Sequence, residues 1–377
     1  MLLKGFYNLF IIFLILWNTP VHAVNQCARD LRLDRVAVVG HETTFMMKVL
    51  AIAKKEFKQV YFVPMREHVK NNQTMPLIPT GVEVFRGPNK FEELLAKKPE
   101  GIVSFQFEYG DKIAALPDCD KPEIIILGSR SGTNQYQALP PATIKALSSI
   151  KVVSFWHSRL KQPDSFHGLG RSMLKILSAL NIPNNQRILL IGYGQTGKGI
   201  AYYLHQKGYP VGVYDKDAAE LVVAVHNGFV VASLQDLAKN ADVVIDATGG
   251  TSPAITPETA NYFEQPKVYI ISTSTTDHSI TIPNGFKNQH GTQFTIDPSH
   301  GMANMYYNVG GSDDEAMRTT GFSLLYLLEN YPGINAELIP ADKDLLKLSP
   351  LLEIKIGEAF LKTPQLLGGS PIPKFTK

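Results

Sequence analysis

The chain has 377 residues, 44% hydrophobic and 19% charged, and 37 Lys+Arg against 34 Asp+Glu leave it at +3. That balance excludes a disordered chain and a multi-span membrane protein, and the thinly spread charge excludes a basic nucleic-acid-binding face. The length fits two domains at roughly 100–200 residues each, and two cysteines, Cys27 and Cys119, are too few for a disulfide scaffold or a zinc cluster.

Residues 1–23 read as a signal peptide. Lys4 precedes an unbroken apolar run from Leu9 to Trp17, and Val21-His22-Ala23 supplies an A-x-A-like cleavage site. The run falls short of the roughly 20 residues that span a bilayer, so the expected mature protein begins at Val24 and is exported, periplasmic or secreted, with no membrane contact after cleavage. Whether Cys27 and Cys119 then pair is left open.

Residues 24–165 read as a parallel α/β domain. Strands are expected at Arg35-Val-Ala-Val-Val39, Gln59–Val63, Glu83–Phe85, Gly101–Phe105, Glu123–Leu127 and Lys151–Phe155, with helices at Thr43–Lys55 and Phe91–Lys98. The strands are nearly continuous apolar runs, as in sheets buried on both faces. A connecting helix, Arg171–Leu180, and a hinge at Asn181–Asn185 occupy 166–185. Residues 186–298 read as a second, doubly wound α/β unit. The segment 299–377 reads as helical, with Asp313–Asn330, then Ala341–Leu361 broken by Pro350, and a loose tail.

The second unit opens on Ile188-Leu-Leu-Ile-Gly192-Tyr193-Gly194-Gln195-Thr196-Gly197, a strand, a G-x-G-x-x-G turn and a helix. Gly192 permits the turn, Gly194 lets the backbone approach a pyrophosphate, and Gly197 lets helix and strand pack closely. A second strand ends at Asp215, 23 residues after Gly192, where an acid accepts hydrogen bonds from an adenosine ribose. The carboxylate repels a 2′-phosphate, so the expected cofactor is NAD rather than NADP. Thr248 and Gly249 end a later strand, and Thr273 follows the next; both positions are candidate cofactor contacts.

These residues resemble adenosylhomocysteinase (S-adenosylhomocysteine hydrolase). Gly-Tyr-Gly-x-x-Gly-Lys-Gly at 192–199 is similar to that family's NAD fingerprint, Asp164-Ser-Phe-His-Gly168 with Ser172 to its approach to the cofactor domain, and Gly40-His41-Glu-Thr43 to its His-x-Thr. The resemblance implies bound NAD that oxidises a substrate ribose 3′-hydroxyl and takes its hydride back after homocysteine leaves and water adds. It implies Asp164, His41, Lys161 by a one-residue shift, and His278 as catalytic candidates on a nucleoside-like small molecule.

The match also departs from the family. Leu160 falls at the family's lysine, Ser165 at its asparagine and Thr275 at its later histidine. Gly128-Ser-Arg-Ser-Gly132 replaces an acidic turn, and 368–377 has no match to the family's C-terminal Lys/Tyr segment. The expectation is an NAD-binding protein with altered or lost hydrolase chemistry. Two alternatives stay open: an exported NAD-dependent dehydrogenase using Asp164 with His41 or His278, and a non-catalytic, NAD-containing ligand-binding protein. Activity as an enzyme and assembly into homo-oligomers are likewise left open.

Overall fold

Successive residues of the strand Arg35–Gly40 enter two different cores: Val36 and Val38 on one side, Ala37 and Val39 on the other. The same alternation recurs at Ile188–Ile191, where Ile188 and Leu190 part from Leu189 and Ile191. Side chains of a strand point to opposite faces in turn, so a strand apolar at every position must lie between two covering layers. The computed structural model describes residues 32–65, 77–248, 254–260, 262–264, 268–273, 288–289, 293–296, 304–308 and 314–363.

The strands are β1 (Arg35–Gly40), β2 (Gln59–Pro64), β3 (Val82–Val84), β4 (Gly101–Ser104), β5 (Ile124–Leu127) and β6 (Lys151–Ser154). They continue as β7 (Ile188–Ile191), β8 (Val211–Tyr214), β9 (Val230–Val231), β10 (Val243–Asp246), β11 (Tyr269–Ser272), β12 (Asn288–Gln289), β13 (Gln293–Ile296) and β14 (Asn304–Asn308). The last two are β15 (Leu338–Pro340) and β16 (Leu346–Leu348). Among the described residues they form two eight-stranded sheets, ordered β15-β16-β6-β5-β4-β1-β2-β3 and β12-β13-β14-β11-β10-β7-β8-β9. Pairing is parallel except at β15–β16, β12–β13 and β13–β14. The strand order reverses between β1 and β4 in the first sheet and between β7 and β10 in the second. Doubly wound sheets bind ligands at such switch points, beyond the carboxyl ends of the strands.

The C-terminal segment departs from its helical reading. β14 joins the second sheet beside β11, then the helix Asp314–Glu329 returns to the first and lays Phe322, Leu324, Leu325 and Leu328 in the same core as the helix Thr44–Glu56. The last helix runs over Pro350–Lys362 only, with Pro350 in its first turn and Ser349 accepting from Leu352 N at 3.1 Å. The residue before a proline disfavours helical backbone, so 341–349 is a turn and β16, which pairs with β6 through Leu346 and Val153.

The expected hinge, Asn181–Asn185, packs against the second half. Ile182 is buried with Met173 and Leu177 in the core of the second sheet, and Tyr209 donates its hydroxyl to Ile182 O at 2.9 Å. The helix Leu169–Ala179 therefore belongs with the second half. It approaches the helix Gln195–Gln206 where Gly199 faces a π-helical turn, Asp164–Gly168; a Cβ at Gly199 would stand 2.1 Å from Phe166 O.

Cys119 is disulfide-bonded, and Cys27 lies outside the described residues. The expected signal lies outside the described residues. Among those, no helix is long and apolar enough to cross a membrane.

Candidate functional site

Gly192 takes φ +96° just past β7, a conformation that L side chains rarely adopt, and a Cβ there would stand 2.9 Å from Ala247 C and Thr248 N. A Cβ on Gly197 would fall 2.0 Å from Gly192 O. The turn is thus held against both β10 and the following helix. Gly194, the N-cap, is different: its Cβ would meet no described atom within 4 Å, and no side chain caps the helix. The first-turn N–H groups of Gln195, Thr196 and Gly197 stand at that open position, suited to a pyrophosphate.

Asp215 binds this loop to the end of β8. Its Oδ2 accepts from Tyr193 N at 2.5 Å and its Oδ1 from Asp217 N at 2.9 Å. The Tyr193 ring turns into the core beside Phe229, its hydroxyl accepts from Asn227 Nδ2 at 2.9 Å, and burial raises the phenol's pKa. The Tyr193 side chain is therefore part of the core, while its backbone N–H is held by Asp215. On the neighbouring strand, buried Asp246 accepts from Thr248 N at 3.0 Å and from Thr248 Oγ1 at 2.8 Å; its backbone oxygen accepts from Thr273 N at 3.0 Å. The strand ends of β7, β8, β10 and β11 thus converge on one crevice whose glycines, helix terminus and acid fit a dinucleotide.

The first sheet contributes a second set of strand ends. His41 follows β1, and the Phe105 ring after β4 fills the space beside two glycines: added Cβ atoms at Gly40 and Gly128 would stand 3.2 and 3.1 Å from it. Arg130, after β5, donates to Thr248 O at 3.3 Å and lies over the Trp156 ring at 5.8 Å, so the two crevices meet. At the end of β6, Ser154 Oγ is 2.9 Å from both Thr133 Oγ1 and His157 Nδ1. Burial, with Lys347 adding to it, holds the His157 pKa below its usual value.

Lys161 and Asp164 are brought together and closed off. Both side chains are under 10% exposed, Lys161 Nζ binds Asp164 Oδ2, and Thr320 Oγ1 donates to the same oxygen at 3.2 Å. The three side chains tie the linker to the helix Asp314–Glu329. His167 lies apart, its Nδ1 3.0 Å from Tyr203 OH in an open recess with Arg159, Gln195 and Lys198.

Residues 179–300 match the sequence profile of the S-adenosyl-L-homocysteine hydrolase NAD-binding domain. The chain carries an adenosylhomocysteinase-type NAD-binding domain, in divergent form. The adenosylhomocysteinase of Pyrococcus abyssi is 33% identical over 230 residues, 57% of this chain and 54% of that protein. That of Thermotoga maritima is 26% identical over 169 residues, 43% of this chain and 41% of that protein. The chain thus spans about half the length, or less, of these curated relatives. Among solved structures, a dipicolinate synthase polypeptide from Bacillus halodurans superposes with a TM-score of 0.50 at 11% identity, over 80% of this chain and 99% of that one. At that identity the likeness concerns the fold alone.

NAD is accordingly the cofactor of the adenosylhomocysteinase-type domain. Its expected contacts at Gly192, Gly194, Gln195, Thr196, Gly197, Asp215, Thr248 and Thr273 gather at one crevice; Gly249 and the catalytic candidate His278 lie outside the described residues. His41 follows β1 at the switch point of the other sheet. Three groups escape a reading by motif. Asp246 is one acid within an apolar strand, Thr320 lies in a helix remote in sequence, and Arg130 stands out in the sequence only as a departure from an acidic turn.

Proposed function

We propose that the protein holds NAD in its adenosylhomocysteinase-type domain and uses it in a reaction altered from homocysteine hydrolysis, or holds it without turnover, with a nucleoside-like molecule bound between the two strand-end crevices. The observation that carries this reading is the fate of Asp164. Its carboxylate is buried under Lys161 and Thr320, so the acid and amine that the resemblance assigns to proton transfer are occupied with each other. Losing one positioned acid–base group costs a factor of about 10²–10⁴ in rate. When bound, NAD supplies a reversible hydride acceptor. The residues of this chain position it through the helix terminus after Gly194 and the carboxylate of Asp215.

Export is part of the proposal. Its supports are the apolar run Leu9–Trp17 and the disulfide at Cys119, since disulfides persist in oxidising compartments. Cofactor held tightly suits a place where free NAD is scarce.

The test is to purify the full-length protein, denature it and identify released nucleotide, then to treat intact protein with S-adenosylhomocysteine and with adenosine. Released NAD, with homocysteine production far below that of an adenosylhomocysteinase assayed alongside, is the expected result. Homocysteine release at a comparable rate overturns the altered chemistry. No nucleotide, and no binding when NAD is titrated in, overturns the cofactor reading.

A further inference from the structure

Arg130 occupies a position that local chemistry disfavours. It is the first residue of the eight-residue helix Arg130–Gln137, whose first turn holds no acidic residue, and a cation there opposes the positive end of the helix dipole. The helix does not need it for capping, because Ser129 accepts from Gly132 N at 3.1 Å. The side chain is exposed, over the Trp156 ring and within reach of the Thr248 carbonyl. A carbonyl and an aromatic face orient a guanidinium without neutralising it, and among the described residues no carboxylate forms an ion pair with Arg130. One of its five N–H donors reaches Thr248, which leaves a fork able to bind a planar acid in two places.

Its surroundings are those of a ligand rather than of an outer surface. Arg130 follows β5 on the carboxyl side of the first sheet and reaches the carboxyl end of β10 in the second, so it bridges the two crevices. The floor beside it is apolar, the Phe105 ring set between Gly40 and Gly128, and His41 is the next residue along the chain from Gly40. Local preference broken without a structural return is the mark of a functional position.

We propose that Arg130 is a specificity-determining residue and that the molecule bound in this crevice carries an oxyanion, a carboxylate or a phosphate, which docks on its guanidinium. The helix terminus adds to the attraction, and the Trp156 ring backs the guanidinium. The inference rests on the functional reading above for the neighbouring NAD, but the anion site itself needs only Arg130 and its setting.

Trp156 and Trp17 are the two tryptophans of the chain, so a full-length Trp17→Phe protein reports on Arg130 through Trp156 fluorescence. Lactate, inorganic phosphate and neutral adenosine are titrated at constant ionic strength, and bound NAD is measured on the same samples after denaturation. The expected result is a saturable change with lactate or phosphate, the stronger of the two identifying the acid group. Arg130→Gln weakens it about ten- to a hundredfold, Arg130→Lys weakens it less, and any adenosine response is the same in all three proteins. An anion response that is absent, or equal in Arg130→Gln, overturns the proposal. So does loss of NAD in Arg130→Gln with anion binding kept, which makes Arg130 a cofactor contact. Arg130-dependent anion binding in protein that neither holds nor binds NAD supports the anion site and overturns the cofactor reading, so the two fail separately.

Discussion

Thr320, on the helix Asp314–Glu329, donates its hydroxyl to Oδ2 of Asp164 at 3.2 Å across 156 residues of chain. Lys161 binds the same oxygen from three residues away, and the pair is buried. Lys161→Met leaves an uncompensated carboxylate in a closed site and is expected to cost about 3–5 kcal/mol of stability. The double variant Lys161→Met/Asp164→Leu, which removes both charges, is expected to recover much of that loss. Urea midpoints check both. A Lys161→Met protein of full stability that has lost its turnover returns the lysine to the catalytic machinery.

The fingerprint glycines separate folding from cofactor binding. Gly197→Ala places a methyl 2.0 Å from Gly192 O and is expected to disrupt the turn, lowering thermal stability and NAD content together. Gly194→Ala meets no described atom within 4 Å, so it should fold normally and yet hold NAD less tightly, because the methyl stands where the pyrophosphate must come. Equal effects of the two substitutions would contradict this division.

Asp215→Asn removes the charge that repels a 2′-phosphate. The preference for NAD over NADP is expected to fall by at least about tenfold, equivalent to about 1.4 kcal/mol. Competitive titration of the two cofactors measures it, and an unchanged ratio argues that another group sets the choice.

Two histidines give the fold a pH dependence of known sign. Burial is the first cause holding His157 and His167 below the ordinary value of 6.5, with Lys347 and Arg171 contributing respectively. Each therefore takes up its proton more readily in the unfolded chain. Stability is complete above pH 6.5 and declines as pH falls from there toward the native pKa values. His157→Asn should flatten that decline, as read from denaturation midpoints across the range, and a slope of opposite sign removes the argument.

Thiol titration of the unreduced, denatured chain should find no free cysteine, since the structure holds Cys119 in a disulfide. Reduction is expected to lower stability by about 2–4 kcal/mol. Two titratable thiols before reduction would remove one support for export.

How much of this could be read from the residues depends on how local each feature is. The G-x-G-x-x-G turn, its flanking strand and helix, and Asp215 follow one another along the chain, and the structure brings them to a single crevice. β16 was not legible: three residues are too few for a two-residue period to show, and its partner Val153 is far away in sequence. The partnership of Lys161 with Asp164 spans the step from a 3₁₀ turn, Arg159–Lys161, to a π-helical turn, a geometry that no apolar pattern encodes, while Thr320 reaches it only through tertiary folding. Arg130 was legible as an oddity of composition; its meaning depends on Thr248 and Trp156, which only the folded chain places beside it.

The return of 314–348 to the first sheet bears on the order of assembly. A ribosome delivers the amino end first, yet that half keeps β6 as an open edge and lacks the helix Asp314–Glu329 over one face until residues 314–348 have emerged. Unpaired edges and bare apolar faces invite aggregation during synthesis. The half made first is therefore the half completed last, and a truncation after the NAD-binding domain strands both.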